Sequence, residues 1–204
     1  MKMGHLSKYR AILNVTFLSI LAFGIAYPLI SDAQTAYKIG PNPVMTLAGT
    51  STIHNWTMTA HSFTGTAKVS ISADNQLTSI SALSLLLPVQ NLKSESDGMN
   101  SNAYETLKSD KNKNIVFKLT SATVTALGVS KYKIAALGNL TIAGVTKPVI
   151  LNTSATMNEN GSISCSGTVP VLLSNFGIER PSFMLGTMKV GDAMTLTYNL
   201  ILVK

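Results

Sequence analysis

The sequence predicts an all-β fold in a single domain, and three observations support this prediction. Hydrophobic residues make up 46% of the 204 residues and charged residues only 12%. After residue 30, apolar residues seldom form long runs and instead alternate with polar ones at the period of two of a half-buried strand. Short turn signals separate these segments. The composition, with its single Cys, excludes a collagen, a disordered tail and a disulfide framework.

Residues 1–33 are predicted to be a secretory signal peptide that is not part of the fold. Three basic residues among the first ten precede an apolar stretch over residues 11–30, and the small residues Ser31 and Ala33 follow it. We expect cleavage after Ala33, which leaves a mature domain over residues 34–204 in the periplasm or outside the cell. A retained anchor is the alternative, although polar residues interrupt the apolar stretch.

The first half of the mature chain predicts five strands. Each combines β-favouring residues with alternating polarity, and they lie at residues 37–39, 45–47, 51–59, 64–73 and 77–87. The sequence Ala73-Asp74-Asn75 is a turn signal, and such short connections are typical of antiparallel hairpins.

One segment departs from the strand period. Between residues 94 and 108, apolar side chains recur at helical spacing: Met99, Ala103, Tyr104 and Leu107. Ser94 and the acidic residues that follow it supply a cap and first-turn charges. The segment therefore predicts one short helix.

The second half predicts further strands with one apolar face. Between residues 131 and 142 alternate positions are apolar or small: Tyr132, Ile134, Ala136, Leu140 and Ile142. The same alternation groups Phe117 with Leu119, Ile163 with Cys165, and Met194 with Leu196 and Tyr198. Eight or more strands without intervening helices must close into a barrel or stack as a sandwich, since open edges invite aggregation.

The charge pattern disfavours a nucleic-acid partner. The net charge is +7, and removal of residues 1–33 leaves 13 basic and eight acidic residues, a net charge of +5. These charges are spread thinly and are not interleaved with aromatic residues. The densest cluster, from Lys108 to Lys118, indicates a solvated face, with attraction of an anionic headgroup as the alternative.

The sequence contains no recognisable catalytic or metal-binding constellation. Of the His residues only His54 and His61 follow the signal segment, and neither pairs with a Cys or carboxylate at metal-ligand spacing. Nucleophile elbow, Walker loop and zinc-binding helix motifs are missing. Cys165 is expected to be a buried structural thiol. We therefore expect a protein that is not an enzyme and has neither cofactor nor metal.

An apolar interior with unfilled space is the remaining functional feature. About eight strands enclose a barrel that is either plugged by its own side chains or holds one ligand. Small residues interrupt the predicted inner positions: Ser79, Ser81, Ser121, Ala136, Gly138, Ala155 and Gly167. They predict a cavity for an elongated apolar molecule. Close packing of these residues against large neighbours is the alternative.

Four stretches, in this order, resemble the YceI-like family. They are "GTSTIHNWTM" (49–58), "LKSESDGMNSNAYETLKSDKNKNIVFKL" (92–119), "AALGNLTIAGVTKPVIL" (135–151) and "LSNFGIERPSFMLGTMKVGDAMTLTYNL" (173–200). They are similar to the family's first long strand, its helix with the following strand, a central hairpin, and the closing loop with the last strand. Together they place nearly all of residues 37–203 within the resemblance.

The resemblance implies an extended, lipocalin-like, eight-stranded antiparallel barrel with one short helix. Its pore would bind a long amphiphile, such as a polyisoprenoid or a fatty-acid derivative, without catalysis. One departure concerns the headgroup: many members have an Arg three residues before a Phe-Gly pair, whereas this chain has Leu173 before Phe176-Gly177. Lys147 or Arg180 would have to supply a charged contact instead.

The expected ligand-binding residues come from inner strand faces, the helix and the closing loop. They are His54, Trp56, Met58, Met99, Tyr104, Phe117, Leu119, Ile134, Phe176, Phe183, Met184, Leu196 and Tyr198. The helix and the loop over residues 176–184 would close the mouth, and His54 would hydrogen-bond a headgroup. Each methylene removed from water contributes about 0.8 kcal/mol, so a chain of roughly ten offsets the cost of association.

These observations predict an exported, non-catalytic lipid-binding protein that carries or stores an isoprenoid or acyl ligand in the aqueous envelope. Transient contact with a membrane surface fits this role. The alternative is a structural β-barrel with a filled core that binds a protein partner in the envelope. Monomer and homodimer both stay open.

Overall fold

The computed structural model describes residues 34–204, and the predicted signal peptide, residues 1–33, lies outside the described residues. The described chain contains eleven strands, one α-helix and three short 3-10 turns. In order, the elements are β1 (Gln34–Ile39), β2 (Val44–Ser51), β3 (Asn55–Ala60), β4 (Thr64–Ile71), β5 (Leu77–Pro88), α1 (Asp97–Thr106), β6 (Asn114–Gly128), β7 (Lys131–Ile142), β8 (Val145–Met157), β9 (Ile163–Leu172), β10 (Ser182–Phe183) and β11 (Met188–Val203). Over residues 34–204, no helix has the length and hydropathy needed to span a bilayer.

The strands form a closed antiparallel ring of eight. β1 and β2 together make one long strand, broken at residues 40–43, and β3 and β4 make its hairpin partner, broken at residues 61–63. Two prolines, Pro41 and Pro43, account for the first break because proline cannot donate to a ladder. β5 to β9 each pair with the preceding strand, and the short β10 pairs with β11 outside the ring. β11 pairs with β9 and closes the ring onto β2 and β1, with Lys38 opposite Val203. The eight-stranded barrel prediction is confirmed.

The alternation of polarity along each strand sets which side chains face the interior. β7 shows this without interruption, since its even-numbered residues from Tyr132 to Ile142 are buried and its odd-numbered residues are exposed or half-buried. β9 and the second half of β11 follow the same rule. One wall of the barrel therefore presents a dry inner face and a wet outer face, as the sequence predicted.

The predicted strand over residues 51–59 is wrong in its first half. β2 ends at Ser51 and β3 begins at Asn55, with a tight turn between them. Ser51 Oγ accepts hydrogen bonds from the backbone N–H groups of Ile53 and His54, at 3.3 and 3.1 Å. This side chain takes the place of a ladder partner, which converts the segment into a turn.

The helix is shorter than predicted, and its cap is a different residue. Ser96 is the N-cap and its Oγ accepts a hydrogen bond from Met99 N at 3.3 Å. Ser94, which the sequence suggested, instead bonds Asn100 through both its backbone N–H and its hydroxyl. The helix therefore begins at Asp97, because Ser94 lies in the loop that the Asn100 side chain holds against α1.

The middle of the barrel is filled, so the small residues do not create a pore there. A Cβ placed on Gly138 would collide with the Phe117 ring, and one on Gly167 would collide with the Tyr198 ring. Close packing, the alternative in the sequence analysis, is what occurs at these glycines. The exposed positions are Ser79, Ser81 and Ser121, so they do not face the interior at all.

Candidate functional site

A cavity of about 420 Å³ lies at one end of the barrel, between the β2–β3 hairpin, α1, the start of β11 and the segment after β9. Its lining is mainly aliphatic, aromatic and methionine side chains. The lining residues are Leu47, Ser51, His54, Trp56, Met58, Ser96, Gly98, Met99, Asn102, Ala103, Thr106, Leu107, Leu173, Pro181, Phe183, Met188, Val190 and Met194. This end of the barrel contains the β2–β3, β7–β8 and β9–β11 connections, and we call it the mouth.

The β2–β3 hairpin supplies one wall through its tryptophan. Gly49 and Trp56 are cross-strand partners, and the indole ring occupies the space that a Cβ on Gly49 would need. The indole Nε1–H donates to Thr50 O at 3.1 Å, which fixes the ring against the hairpin. Met58, two residues later on the same strand face, continues the wall and is almost fully buried.

Helix α1 supplies the opposite wall. The residues that line the cavity recur at helical spacing, from Gly98 and Met99 through Asn102 and Ala103 to Thr106 and Leu107. The helix is anchored on its other side by Tyr104. The Tyr104 hydroxyl lies 3.0 and 2.9 Å from the carbonyl oxygens of Gln90 and Leu92, and Lys93 Nζ lies 5.4 Å from the ring centroid.

The segment between β9 and β11 closes the third side. Ser174 donates to Asp192 from its backbone N–H at 2.8 Å and from its hydroxyl at 2.6 Å. These hydrogen bonds, with a smaller contribution from the Arg180 charge, lower the pKa of the Asp192 carboxyl. The start of the segment is thereby tied to β11, and its later part brings Phe183 to the cavity.

A smaller apolar void of about 50 Å³ adjoins the cavity on its inner side. The two spaces share four lining residues, Leu47, Leu107, Leu173 and Met194, so they lie next to each other. Every described residue that lines the inner void is hydrophobic, and the lining includes Phe176 from the segment after β9 and Leu196 from β11.

Polar groups lie at the rim of the cavity, and none of its described lining residues is charged. The exposed lining residues are His54, Ser96 and Gly98, which places the opening between the β2–β3 turn and the first turn of α1. His54 Nδ1 lies 2.9 Å from Asn55 O, and a carbonyl oxygen only accepts. Nδ1 is therefore the donor in this contact, and Nε2 is the ring nitrogen that remains for a ligand.

The predicted site residues divide into three groups. Those that line the larger cavity are His54, Trp56, Met58, Met99 and Phe183. Phe176 and Leu196 line the inner void. Those that line neither are Tyr104, Phe117, Leu119, Ile134 and Tyr198, and the side chain of Met184 lies outside the described part of the chain. Lys147 and Arg180 are exposed and line neither space.

Packing explains why several predicted residues do not reach the cavity. Phe117 covers Gly138 in the filled interior, and Tyr198 covers Gly167 with its hydroxyl 2.6 Å from Thr153 Oγ1. Tyr104 faces the loop that anchors α1. All three side chains therefore pack within the fold, and none of them borders the cavity.

The sequence reasoning missed several residues at the base of the cavity. Leu107 shares the helical stripe of Met99, and Met194 shares the strand face of Leu196, so both patterns were available. Leu173 was noted only as a departure from the family. Its burial within both spaces makes the base of the cavity apolar at that point.

Among residues 34–204, no three His, Cys, Asp or Glu side chains are grouped so that they would hold a metal ion. Cys165 is buried, and burial raises the pKa of its thiol to about 12. A thiol that stays protonated is a poor nucleophile and a poor ligand, which fits the structural role predicted for it.

Comparisons with known proteins agree with this architecture. The family model described as the YceI-like domain matches residues 40–202. BcnA of Burkholderia cenocepacia has a TM-score of 0.62 at 14% identity, over 78% of this chain and 95% of that chain. A polyisoprenoid binding domain from Saccharophagus degradans, implicated in plant cell wall breakdown, has a TM-score of 0.60 at 9% identity, over 81% and 97%.

A third solved structure, the YCEI protein of Campylobacter jejuni, has a TM-score of 0.50 at 17% identity, over 69% of this chain and 81% of that chain. The comparison with curated proteins gives no match. At these identities the solved structures show a shared fold. Because the matching family model spans most of the sequence, the chain belongs to the YceI-like domain family.

Proposed function

We propose that this protein binds the apolar tail of a long-chain amphiphile, such as a polyisoprenoid or a fatty-acid derivative, in the cavity at the mouth of the barrel and does so without catalysis. The observation that supports this most directly is an apolar cavity of about 420 Å³ whose described lining residues include no Lys, Arg, Asp or Glu. Small-molecule sites typically enclose about 300–1,000 Å³. The related domain from Saccharophagus degradans, described as polyisoprenoid binding, supports the same ligand class.

The cavity volume sets the length of tail that fits. A group the size of water takes about 30 Å³ in a liquid, so the cavity holds on the order of a dozen such groups. At about 0.8 kcal/mol for each methylene, a filled cavity supplies roughly 10 kcal/mol, comparable to the cost of association. Useful affinity therefore requires a tail that fills the space, and shorter tails should bind much more weakly.

The rim favours an uncharged headgroup that forms hydrogen bonds. His54 offers Nε2 for a hydrogen bond, and the Asn102 side chain offers an amide donor and acceptor on the facing wall. A phosphate would find no Lys or Arg among the lining residues of the described chain. We therefore place a hydroxyl or carbonyl headgroup at the opening, with the tail directed toward Leu173.

Export and carriage complete the proposal. The basic and apolar pattern of residues 1–33 supports cleavage near Ala33 and a location in the periplasm or outside the cell. There a closed barrel would shield a tail from water while it is stored or moved. The N-terminus of the protein recovered outside the cytoplasm tests this step, and Gln34 is the expected first residue.

A structural barrel that binds a protein partner is the second candidate, because the middle of the barrel is filled by rings such as those of Phe117 and Tyr198. The two candidates differ in ligand uptake. A partner-binding barrel predicts no saturable lipid binding, whereas the first proposal predicts one tail for each barrel.

Fluorescence titration tests the proposal, because Trp56 is the single tryptophan of the chain and lines the cavity. A prenol added to the mature protein should give a saturable, one-to-one change in Trp56 emission. A prenyl phosphate of equal chain length should bind more weakly. Native mass spectrometry of gently purified protein should show a copurifying lipid. The bare polypeptide alone, even after titration with prenol, would contradict the proposal.

A further inference from the structure

Two exposed aliphatic side chains lie on loops at the mouth of the barrel. Ile53 is 60% exposed at the β2–β3 turn, and Leu185 is fully exposed in the segment between β10 and β11. Neither lines the cavity, yet each has a lining residue close to it in sequence, His54 beside Ile53 and Phe183 two residues before Leu185. Their side chains therefore mark the rim and contribute almost nothing to the core.

Hydrogen bonds join the two loops into one unit. The Thr52 backbone N–H donates to Lys189 O at 3.0 Å, and the Thr52 hydroxyl donates to Thr187 O at 3.0 Å. The Lys189 backbone N–H donates to Thr52 Oγ1 at 3.2 Å. We call residues 51–54 and 185–189 the lip. These hydrogen bonds hold together, at the mouth, the two loops that carry Ile53 and Leu185.

The backbone at Leu185 is unusual for a leucine. Its φ of 56° and ψ of 32° lie in the left-handed region. Gly and Asn adopt this region at low energetic cost, whereas a residue with a branched apolar side chain is strained there. A side chain that is fully exposed gives no core packing to offset this strain. Backbone strain of this kind points to a role outside the folded interior.

The chemistry of the lip fits a lipid surface better than a protein surface. Two aliphatic side chains fall far short of the roughly 800 Å² per partner that a stable protein interface buries. The lip contains one charged residue, Lys189, and no carboxylate, while Glu179 and Arg180 offset each other farther along the same segment. Residues 34–204 carry 13 basic and eight acidic residues, which favours an anionic bilayer.

We infer that the lip is a membrane-contacting device that inserts Ile53 and Leu185 at the boundary between headgroups and acyl chains, with Lys189 at the lipid phosphates. In this position the opening beside His54 faces the bilayer, so an amphiphile passes between the membrane and the cavity without crossing water. The transfer step rests on the proposed function. The contact with the bilayer does not.

A double variant, Ile53→Ser with Leu185→Asn, tests the inference, because Asn accepts the left-handed backbone. Its matched control is Leu127→Ser with Val129→Ser, since these residues are 65% and 89% exposed at the β6–β7 hairpin tip on the opposite end of the barrel. The assay measures cosedimentation of the mature protein with vesicles of phosphatidylethanolamine and phosphatidylglycerol. It also follows the rate at which prenol moves from those vesicles to the protein.

The lip variant should bind vesicles roughly tenfold more weakly and slow the transfer of prenol by a similar factor. The control should match the wild type in both measurements. Prenol added from ethanol without vesicles should bind the lip variant as tightly as the wild type, since neither changed residue lines the cavity. A lip variant that binds vesicles as the wild type does, or a control that loses binding equally, would overturn the inference.

The two proposals fail in different ways. Uptake of prenol from ethanol together with unchanged vesicle binding by the lip variant refutes the lip and keeps the proposed function. Loss of vesicle binding by the lip variant in a protein that takes up no prenol keeps the lip and refutes the proposed function. If the double variant does not fold, Lys189→Glu provides the test, with weaker binding expected on anionic vesicles and unchanged binding on neutral ones.

Discussion

Ala103→Phe should block the cavity while the barrel stays intact. Ala103 lies on the cavity face of α1, one turn from Met99 and one turn from Leu107. A benzyl group in place of the methyl would project into the space of about 420 Å³. If the ring displaces about four tail methylenes, binding loses roughly 3 kcal/mol, which is about two orders of magnitude in the dissociation constant.

The fold should tolerate this ring because it enters space that is already empty. We expect the free energy of unfolding to stay within about 1 kcal/mol of the wild type, since an added apolar ring gains burial without overpacking. Urea unfolding measures this quantity, and Trp56 fluorescence titration with a prenol measures affinity. Both measurements use the mature protein.

Ser101→Phe is the matched control, because Ser101 is exposed on the same helix and does not line the cavity. It should bind prenol as the wild type does. Equal affinity in all three proteins would refute the placement of the tail between α1 and the β2–β3 hairpin. Equal loss of affinity in both variants would show that the effect comes from the helix backbone and would refute the blocking argument.

Three further predictions concern stability. Gly138→Ala should lower the free energy of unfolding in urea by about 1–3 kcal/mol, because the new methyl group meets a filled interior. Gly98→Ala is the control: its Cβ meets only a hydroxyl at 3.8 Å, so it should be neutral or stabilising by up to about 1 kcal/mol. Equal effects of the two substitutions would contradict the close packing at Gly138. Tyr198→Phe should cost about 1 kcal/mol through loss of the hydrogen bond to Thr153, as urea midpoints will show. Burial raises the pKa of the Cys165 thiol from 9.0 to about 12, so the unfolded chain loses this proton first and the free energy of unfolding falls as the pH rises from 9 toward 12. Cys165→Ala should flatten that decline, and an unchanged slope would show that another group causes it.

The sheet could be predicted from the sequence wherever one face is buried along a whole strand. β7 satisfies this condition, and its predicted span of residues 131–142 matches the structure. The prediction failed where a side chain competes with the backbone ladder. Ser51 makes such bonds, and the chain turns over the three residues that precede β3. Alternation alone does not distinguish a strand residue from a turn residue of this kind.

The sequence predicted that an apolar cavity exists, but it did not predict where the cavity lies. Small residues on inner faces suggested free space, but Gly167 lies directly opposite Tyr198 in the register of β9 and β11. Gly138 lies opposite Leu119, which brings the Phe117 ring across it from two residues away. A glycine in a strand leaves space that an aromatic ring from a neighbouring strand fills. Which ring lies there depends on the register between the strands, and the residue pattern of one strand does not determine that register.

The cavity exists because a helix replaces sheet pairing at the mouth. β3 pairs with β2 along one edge, but along its other edge the described chain gives it only the bridge between Thr59 and Lys93. From that bridge the chain continues into α1, whose side chains face Trp56 across the gap. A neighbouring strand would lie about 4.8 Å away and fill the gap with backbone, whereas a helix packs through its side chains at about 10 Å.

The residues that determine the stability of the barrel therefore differ from those that determine the size of its cavity. The rings over Gly138 and Gly167 fill the middle, and substitutions there act on folding. At the mouth, the size of the free space is set by side chains of α1 such as Met99 and Ala103, which pair with no strand. Exchange of these side chains should therefore alter which tail lengths fit the cavity and should change the folding free energy little. The size of the cavity can thus change while the eight-stranded ring stays the same.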